Sequence, residues 1–207
     1  MPKAIDGRRD AVSQQLRDFG FWEFASVDEV LSARGAVSTQ GMLRFAPRTS
    51  LDRRKPQFLD LGSNLGFYSL LFAADGWSVL AIEAMEHNRR PLRASLCLNP
   101  QLDITLVPAA LGSANAAIAR TRCVATSIER NRGNGRLECG EAAKAINCSA
   151  LVHSGRCKDT KRGQQMSSER CKGGSYDVAF CEEVRLRSVD EILHEAKVIA
   201  VDAIKVR

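Results

Sequence analysis

Two features of the chain could act together chemically: the loop Asp60-Leu61-Gly62-Ser63-Asn64-Leu65-Gly66, of the form DxGxxxG, and the acid Glu83, 17 residues beyond Gly66. The loop joins an apolar run at 58–61 to an apolar stretch beginning at Phe67. At such a junction Gly62 lets the backbone turn sharply with positive φ, and a missing side chain at Gly66 lets a ligand or the strand approach the following helix. The helix that opens there points N–H groups at whatever lies above the strand ends. Glu83 directly follows a second apolar run, Ser78–Ile82, and is positioned to accept hydrogen bonds from both ribose hydroxyls of an adenosine. The spacing departs from the dinucleotide pattern GxGxxG, because Asn64 takes the second glycine position, where a pyrophosphate needs close backbone approach. The pattern therefore points to a nucleoside without phosphates. The bland alternative is an ordinary strand, turn and helix whose glycines serve only the fold and whose acid is solvated.

Other reactive groups are sparse. His87, His153 and His194 stand isolated, each read more readily as a surface or packing residue than as a base. Asp202 falls in an apolar run, so it needs a partner or an edge position to avoid unpaired burial. No CxxC or Cys/His ligand pair occurs among the seven cysteines, which leaves a metal site without support. Five of them, Cys123, Cys139, Cys148, Cys157 and Cys171, lie in one basic stretch, and Asn147-Cys148-Ser149 is formally a glycosylation sequon. Disulfides there fit an exported protein.

The elements that must position the loop and the acid follow from pattern. A strand at 58–62, a helix over Phe67–Ala74, a strand at Ser78–Ile82, a helix at 87–98 stopped by Asn99-Pro100, and a strand at Ile104–Val107 alternate as βαβ units do. This predicts an α/β fold with a parallel sheet and helices on both faces. Upstream, weak amphipathic patterns predict helices at 8–19 and 27–33, the second led by Ser26 as a cap, and 34–55 reads as linker. Beyond Leu111-Gly112 the pattern dissolves, with strands predicted at 117–125 and near 136–139. Order returns at Tyr176 with a strand at 183–186, a helix over Val189–Glu195 capped by Ser188, and a strand at 198–206. The chain of 207 residues thus divides into an N-terminal helical segment and linker, 1–56, and an α/β domain, 57–207, with a basic Cys-rich insertion at 116–175.

The sequence resembles the FkbM-type methyltransferases, enzymes that use S-adenosylmethionine to methylate hydroxyl groups on small molecules and sugars. The likeness rests on FLDLGSNLGFYSLLFA (58–73), AIEAMEHNRRPLRASLCLNP (81–100), Ala110-Leu111-Gly112, and VRLRSVDEILHE followed by VIAVDAIKVR at the end. It implies a Rossmann-like class I methyltransferase fold. It further implies that Asp60, Gly62, Ser63, Asn64 and Gly66 line the methionine end of the cofactor, that Glu83 holds the ribose, and that Ala84 and Met85 flank the adenine. Ser63 stands where the family has alanine, and Phe67 and Tyr68 match its aromatic pair. Asn88 and Asn99 match the pattern too, although a helix-surface amide and a C-terminal cap explain them equally well. One departure concerns the last strand, read as IKVDVEG in the family, where an acid-rich loop sits beside the methyl group. Here the run is Ala203-Ile204-Lys205-Val206-Arg207, with arginine where the acid belongs, so the expected sheet is incomplete at the C-terminus. An incomplete sheet would leave one side of the last strand as an apolar edge that invites aggregation.

Charge bears on partners. The formal charge is +6, but residues 120 to 172 carry 12 Lys/Arg against 5 Asp/Glu, so the rest of the chain is near neutral. No aromatic residue interleaves those basic ones, which argues against nucleic acid and for a solvated loop, with an acidic partner as the alternative. The N-terminal residues lack a signal-peptide core and no stretch reaches the length of a membrane span. No membrane is expected, and the chain as written reads as cytoplasmic; a missing leader would redirect it to the secretory pathway. The functional expectation is O-methylation of a small-molecule or glycan hydroxyl with S-adenosylmethionine, without an assigned catalytic residue. The alternatives are an inactive relic or binding module that retains the cofactor half-site, and a nucleotide-dependent oxidoreductase.

Overall fold

Phe58, Leu59, Asp60 and Leu61 are all buried in the strand β2 (Gln57–Leu61), as are the last four residues of β3 (Ser78–Ile82). Such continuous burial marks strands covered on both faces, the usual state of a parallel sheet. The computed structural model describes residues 11–22, 24–32, 43–45, 54–113, 121–128, 131–148 and 178–206. In chain order these form α1 (Ala11–Phe19), α2 (Val27–Ser32), β1 (Leu43–Phe45), β2, α3 (Phe67–Ala74), β3, α4 (Glu86–Leu98), β4 (Ile104–Val107) and β5 (Ala110–Leu111). There follow β6 (Cys123–Ile128), β7 (Asn131–Cys139), α5 (Glu141–Lys144), β8 (Val178–Val184), β9 (Leu186–Arg187), α6 (Val189–Glu195) and β10 (Ala203–Val206).

The main sheet has the order β1-β10-β2-β3-β4. Strands β10, β2, β3 and β4 run parallel, and β1 pairs antiparallel with β10. Alternation along the strands divides the core in two. Phe58, Val79, Ala81 and Ala203 face α2, α3 and α4, where Phe72 stacks on Phe58 at 3.9 Å and meets Trp77 edge-on at 5.0 Å. Leu59, Leu61, Leu80 and Ile82 face α6 through Ile192. Helices therefore cover both faces, and the α/β architecture expected from the alternating pattern is present. The sheet grows to one side of β2 through β3 and β4 and to the other through β10, so the chain reverses its order of addition at the carboxyl end of β2, where open α/β sheets form a crevice.

Three local differences from the sequence reading have physical causes. The segment 34–55 is not all linker, because β1 pairs Leu43, Arg44 and Phe45 with Lys205, Ile204 and Ala203 and covers the side of β10 expected to lie open. Strand β10 is shorter than 198–206, since Asp202 is bound at the sheet entrance: its carboxylate accepts from both terminal nitrogens of Arg54 and from the Gln57 amide. Val198 and Val201 pack on the α6 face before that point. The strand expected at 183–186 splits at Arg185, where the chain leaves its β6 neighbour and pairs with β5 instead.

The basic segment supplies two strands of a second, antiparallel sheet of order β7-β6-β8, and β8 follows it in the chain. Cys123 and Cys139 are register partners on β6 and β7 and form a disulfide; a second links Cys148 to Cys181 of β8. Cys97 is free and exposed, while Cys157 and Cys171 lie outside the described residues. Among the described residues no helix is long and apolar enough to cross a membrane.

Candidate functional site

Gly62, Asn64 and Gly66 all have positive φ, at 74°, 54° and 85°. Asn64 is a residue type that tolerates this conformation, and the two glycines adopt it without a Cβ clash. The loop is tied down from below. Gly62 and Ser63 both donate N–H bonds of 2.9 Å to the Ile82 carbonyl, and Gly66 donates to Ser63. Gly66 serves packing: a Cβ there would meet Leu92 Cδ1 of α4 at 2.4 Å.

Asp60 and Lys205 are register partners on β2 and β10, and both are buried. Lys205 Nζ donates to Asp60 Oδ1 at 2.9 Å and to the Gly62 carbonyl at 2.6 Å, while Ser69 Oγ donates to Asp60 Oδ2. The Tyr68 ring centroid lies 5.9 Å from Nζ. Asp60 is thus neutralised beneath the loop, and Lys205 joins the strand acid to the turn.

At the carboxyl end of β3, Glu83 is buried and accepts three hydrogen bonds. Its Oε2 takes the Asn64 amide at 2.9 Å; its Oε1 takes the Met85 amide at 2.9 Å and Asn88 Nδ2 at 3.3 Å. The acid therefore fixes the loop, the start of α4 and Asn88 together. Above it opens a cavity of about 300 Å³, at the small end for a small-molecule site. Gly62, Asn64, Glu83, Ala84, Met85 and Asn88 form one side. Ala109, Ala110 and Leu111 form another, and Ala125 of β6 with Gly135, Arg136 and Leu137 of β7 form the roof. Gly135 lies so close to Met85 that a Cβ there would sit 3.0 Å from its sulfur.

Of the residues singled out by sequence, Gly62, Asn64, Glu83, Ala84 and Met85 meet at this cavity. Asp60, Ser63 and Gly66 lie outside its lining: Asp60 faces Lys205, Gly66 faces Leu92, and Ser63 is buried with its hydroxyl unpartnered. Asn99 is a cap, its amide donating to the Ser95 carbonyl. Asn88 is not a helix-surface amide; it is 2% exposed, because the first turn of α4 faces the strand ends. Its Oδ1, like that of Asn64, has no hydrogen-bond partner. The roof was not legible as part of the site, since nothing in its composition ties it to the glycine loop.

His87 is not isolated either. Its ring stacks on Phe180 at 3.9 Å, its Nε2 lies 3.4 Å from Ser127 Oγ, and its Nδ1 lies 4.0 Å from Glu182. Burial pushes the Glu182 carboxyl up, the Glu86 and Glu83 charges add to this, and the Glu86 amide and Arg89 oppose it. His194 is exposed at the end of α6, and His153 lies outside the described residues. No metal-binding cluster of His, Cys, Asp or Glu occurs among the described residues.

No family model and no curated protein matches this chain. Among solved structures, a high-resolution crystal structure of WbdD is similar at 30% identity over 32% of this chain and 14% of that one, with a TM-score of 0.27. A structure of monomeric WbdD matches at 18% identity over 58% of this chain and 25% of that one, with a TM-score of 0.34. The chain spans a quarter or less of the length of these structures, and likenesses so partial decide neither fold family nor function.

Proposed function

We propose that the chain is an S-adenosylmethionine-dependent methyltransferase of Rossmann-like class I fold, resembling the FkbM type and acting on a hydroxyl of a small molecule or sugar. The observation that carries this is Glu83, buried at the carboxyl end of β3, beside the glycine loop and facing the cavity. The surroundings favour a nucleoside over a nucleotide. The amides of Gly62, Ser63, Asn64 and Gly66 are all donated to protein oxygens, so they are not free to cradle a phosphate. The unpartnered Asn64 and Asn88 oxygens instead call for a ligand rich in donors, which an adenosine supplies. On this reading Glu83 takes the ribose, Ala84 and Met85 border the base, and Gly62 and Asn64 lie toward the methionine end. The bound sulfonium would supply the methyl group, and the protein's part is to orient the acceptor oxygen and remove its proton.

A second reading, a binding module without turnover, draws on the ionisable groups that line the cavity. Among the described residues these are Glu83, already holding three donors, and Arg136. Neither is placed as a base for a hydroxyl.

Calorimetry with S-adenosylmethionine, S-adenosylhomocysteine and NAD tests the proposal. Binding of the first two is expected; folded protein that binds neither would sink it, and binding of NAD alone would favour an oxidoreductase. Retained binding without methyl transfer to any hydroxylated substrate pool selects the second reading. Glu83→Ala is expected to weaken S-adenosylhomocysteine by about 1.5–3 kcal/mol, the loss of a charged acceptor; unchanged affinity would refute its assignment.

A further inference from the structure

An ionised carboxylate offers about four acceptor sites. Three of those on Glu83 are filled by Asn64 N, Met85 N and Asn88 Nδ2, two of them on Oε1. One site remains, on Oε2. A vicinal diol presents two donors, so Glu83 as held here takes one hydroxyl and the other needs a second acceptor nearby. Asn88 Oδ1 meets that need. It is buried, lacks a partner, and belongs to a side chain that lines the same cavity. Its amide group is bonded to Glu83 Oε1 through Nδ2, which leaves Oδ1 as the end open to accept a second donor beside Glu83.

The same bond fixes the polarity of the site. Rotating the Asn88 amide would set its oxygen against Glu83 Oε1, two acceptors where a 3.3 Å hydrogen bond now stands. Asn64 Oδ1 is also unpartnered and at the cavity, but Asn64 is tied to Glu83 through its backbone amide and not its side chain, so which end of that side chain faces inward is not locked by Glu83. We propose that Asn88 is a specificity-determining residue: the sugar diol is divided between Glu83 Oε2 and Asn88 Oδ1, and the site takes ribosides whose two hydroxyls are both free to donate. This assignment rests on the cofactor reading above.

Calorimetry on the full chain tests it with S-adenosylhomocysteine and its 2′-deoxy and 3′-deoxy analogues, using wild type and Asn88→Leu, a near-isosteric change that removes the acceptor. Each deoxy analogue is expected to bind the wild type roughly tenfold more weakly than the parent. In Asn88→Leu one of the two losses is expected to shrink to within about twofold while the other persists. Two undiminished losses in the folded variant would overturn the assignment. Should the variant not fold, the 2′-fluoro and 3′-fluoro analogues decide on the wild type, since fluorine cannot donate: both should bind as weakly as the deoxy compounds, and full affinity with either would overturn the proposal. A wild type that binds none of these ligands overturns the cofactor reading and the diol assignment together, whereas binding with unaltered losses removes the assignment alone.

Discussion

The parallel sheet and the β6–β8 sheet meet at one cavity but are held together differently. In the first, strands buried on both faces carry Phe58, Leu59, Leu80 and Ile82, packed by α2, α3 and α4 on one face and by α6 on the other. In the second, β6 supplies nearly all the described burial, through Cys123, Val124, Ala125 and Ser127, while Leu137 on β7 is 40% exposed. Two disulfides cross-link that sheet, in which the described residues bury little apolar surface outside β6. One region is stabilised mainly by burial and the other largely by covalent closure of long loops, so the floor of the cavity should outlast its roof under stress.

The largest effect should come from the buried pair in the floor. Lys205→Met leaves Asp60 charged and unpaired, and a loss of about 3–5 kcal/mol is expected in urea unfolding. Lys205→Met with Asp60→Asn should recover most of it, and no recovery would show that the pair is not the cause. Next comes Gly66→Ala, which forces a side chain into positive φ and against Leu92. A loss of about 2–4 kcal/mol is expected, and a silent change would mean that the α3–α4 seam yields more readily than the core around it. For the roof, replacing Cys123 and Cys139 by alanine opens a link spanning 16 residues, with an expected loss of about 2–3 kcal/mol. Hydrogen exchange should quicken in β6 and β7 and stay slow in β2 and β3; equal loosening of both would erase the distinction between the two regions.

The smallest effect is a pH dependence where roof and floor touch. Glu182 lies on β8 and accepts from the Glu86 amide of α4, and burial raises its pKa above the ordinary 4.5. A carboxyl raised in the fold contributes its full stability below the unfolded value and loses it as pH climbs through the folded value. Glu182→Gln should therefore gain stability relative to wild type as pH rises from about 4 to 7, by less than about 1 kcal/mol. An unchanged pH profile would detach Glu182 from that junction.

How much of this was legible in the sequence differs by region for the same physical reason. The βαβ unit announces itself through apolar runs, glycine punctuation and helix stops, all local signals, and the α6 cap is likewise local: Ser188 accepts from the Glu191 amide three residues on. In the antiparallel sheet the strands follow weak alternation in polar sequence, so 117–125 became Cys123–Ile128 and 136–139 lengthened to Asn131–Cys139. Strand β1 was missed because three residues carry too little pattern; its partner β10 lies some 160 positions away.

The sequence by itself determined the turn and the acid: positive φ asks for glycine at Gly62 and Gly66, and an acid after an apolar strand lands at the strand's carboxyl end. Tertiary structure alone decided what those residues touch. Asp60 meets Lys205 across a separation of 145 residues, and the β6–β7 hairpin closes the cavity. Glu83 spends three of its acceptor sites on Asn64, Met85 and Asn88, which makes an amide that sequence could equally place on the helix surface a buried wall of the site. Conformational preference is written in local residue types, whereas hydrogen-bond saturation depends on which distant groups the packed strands bring within reach.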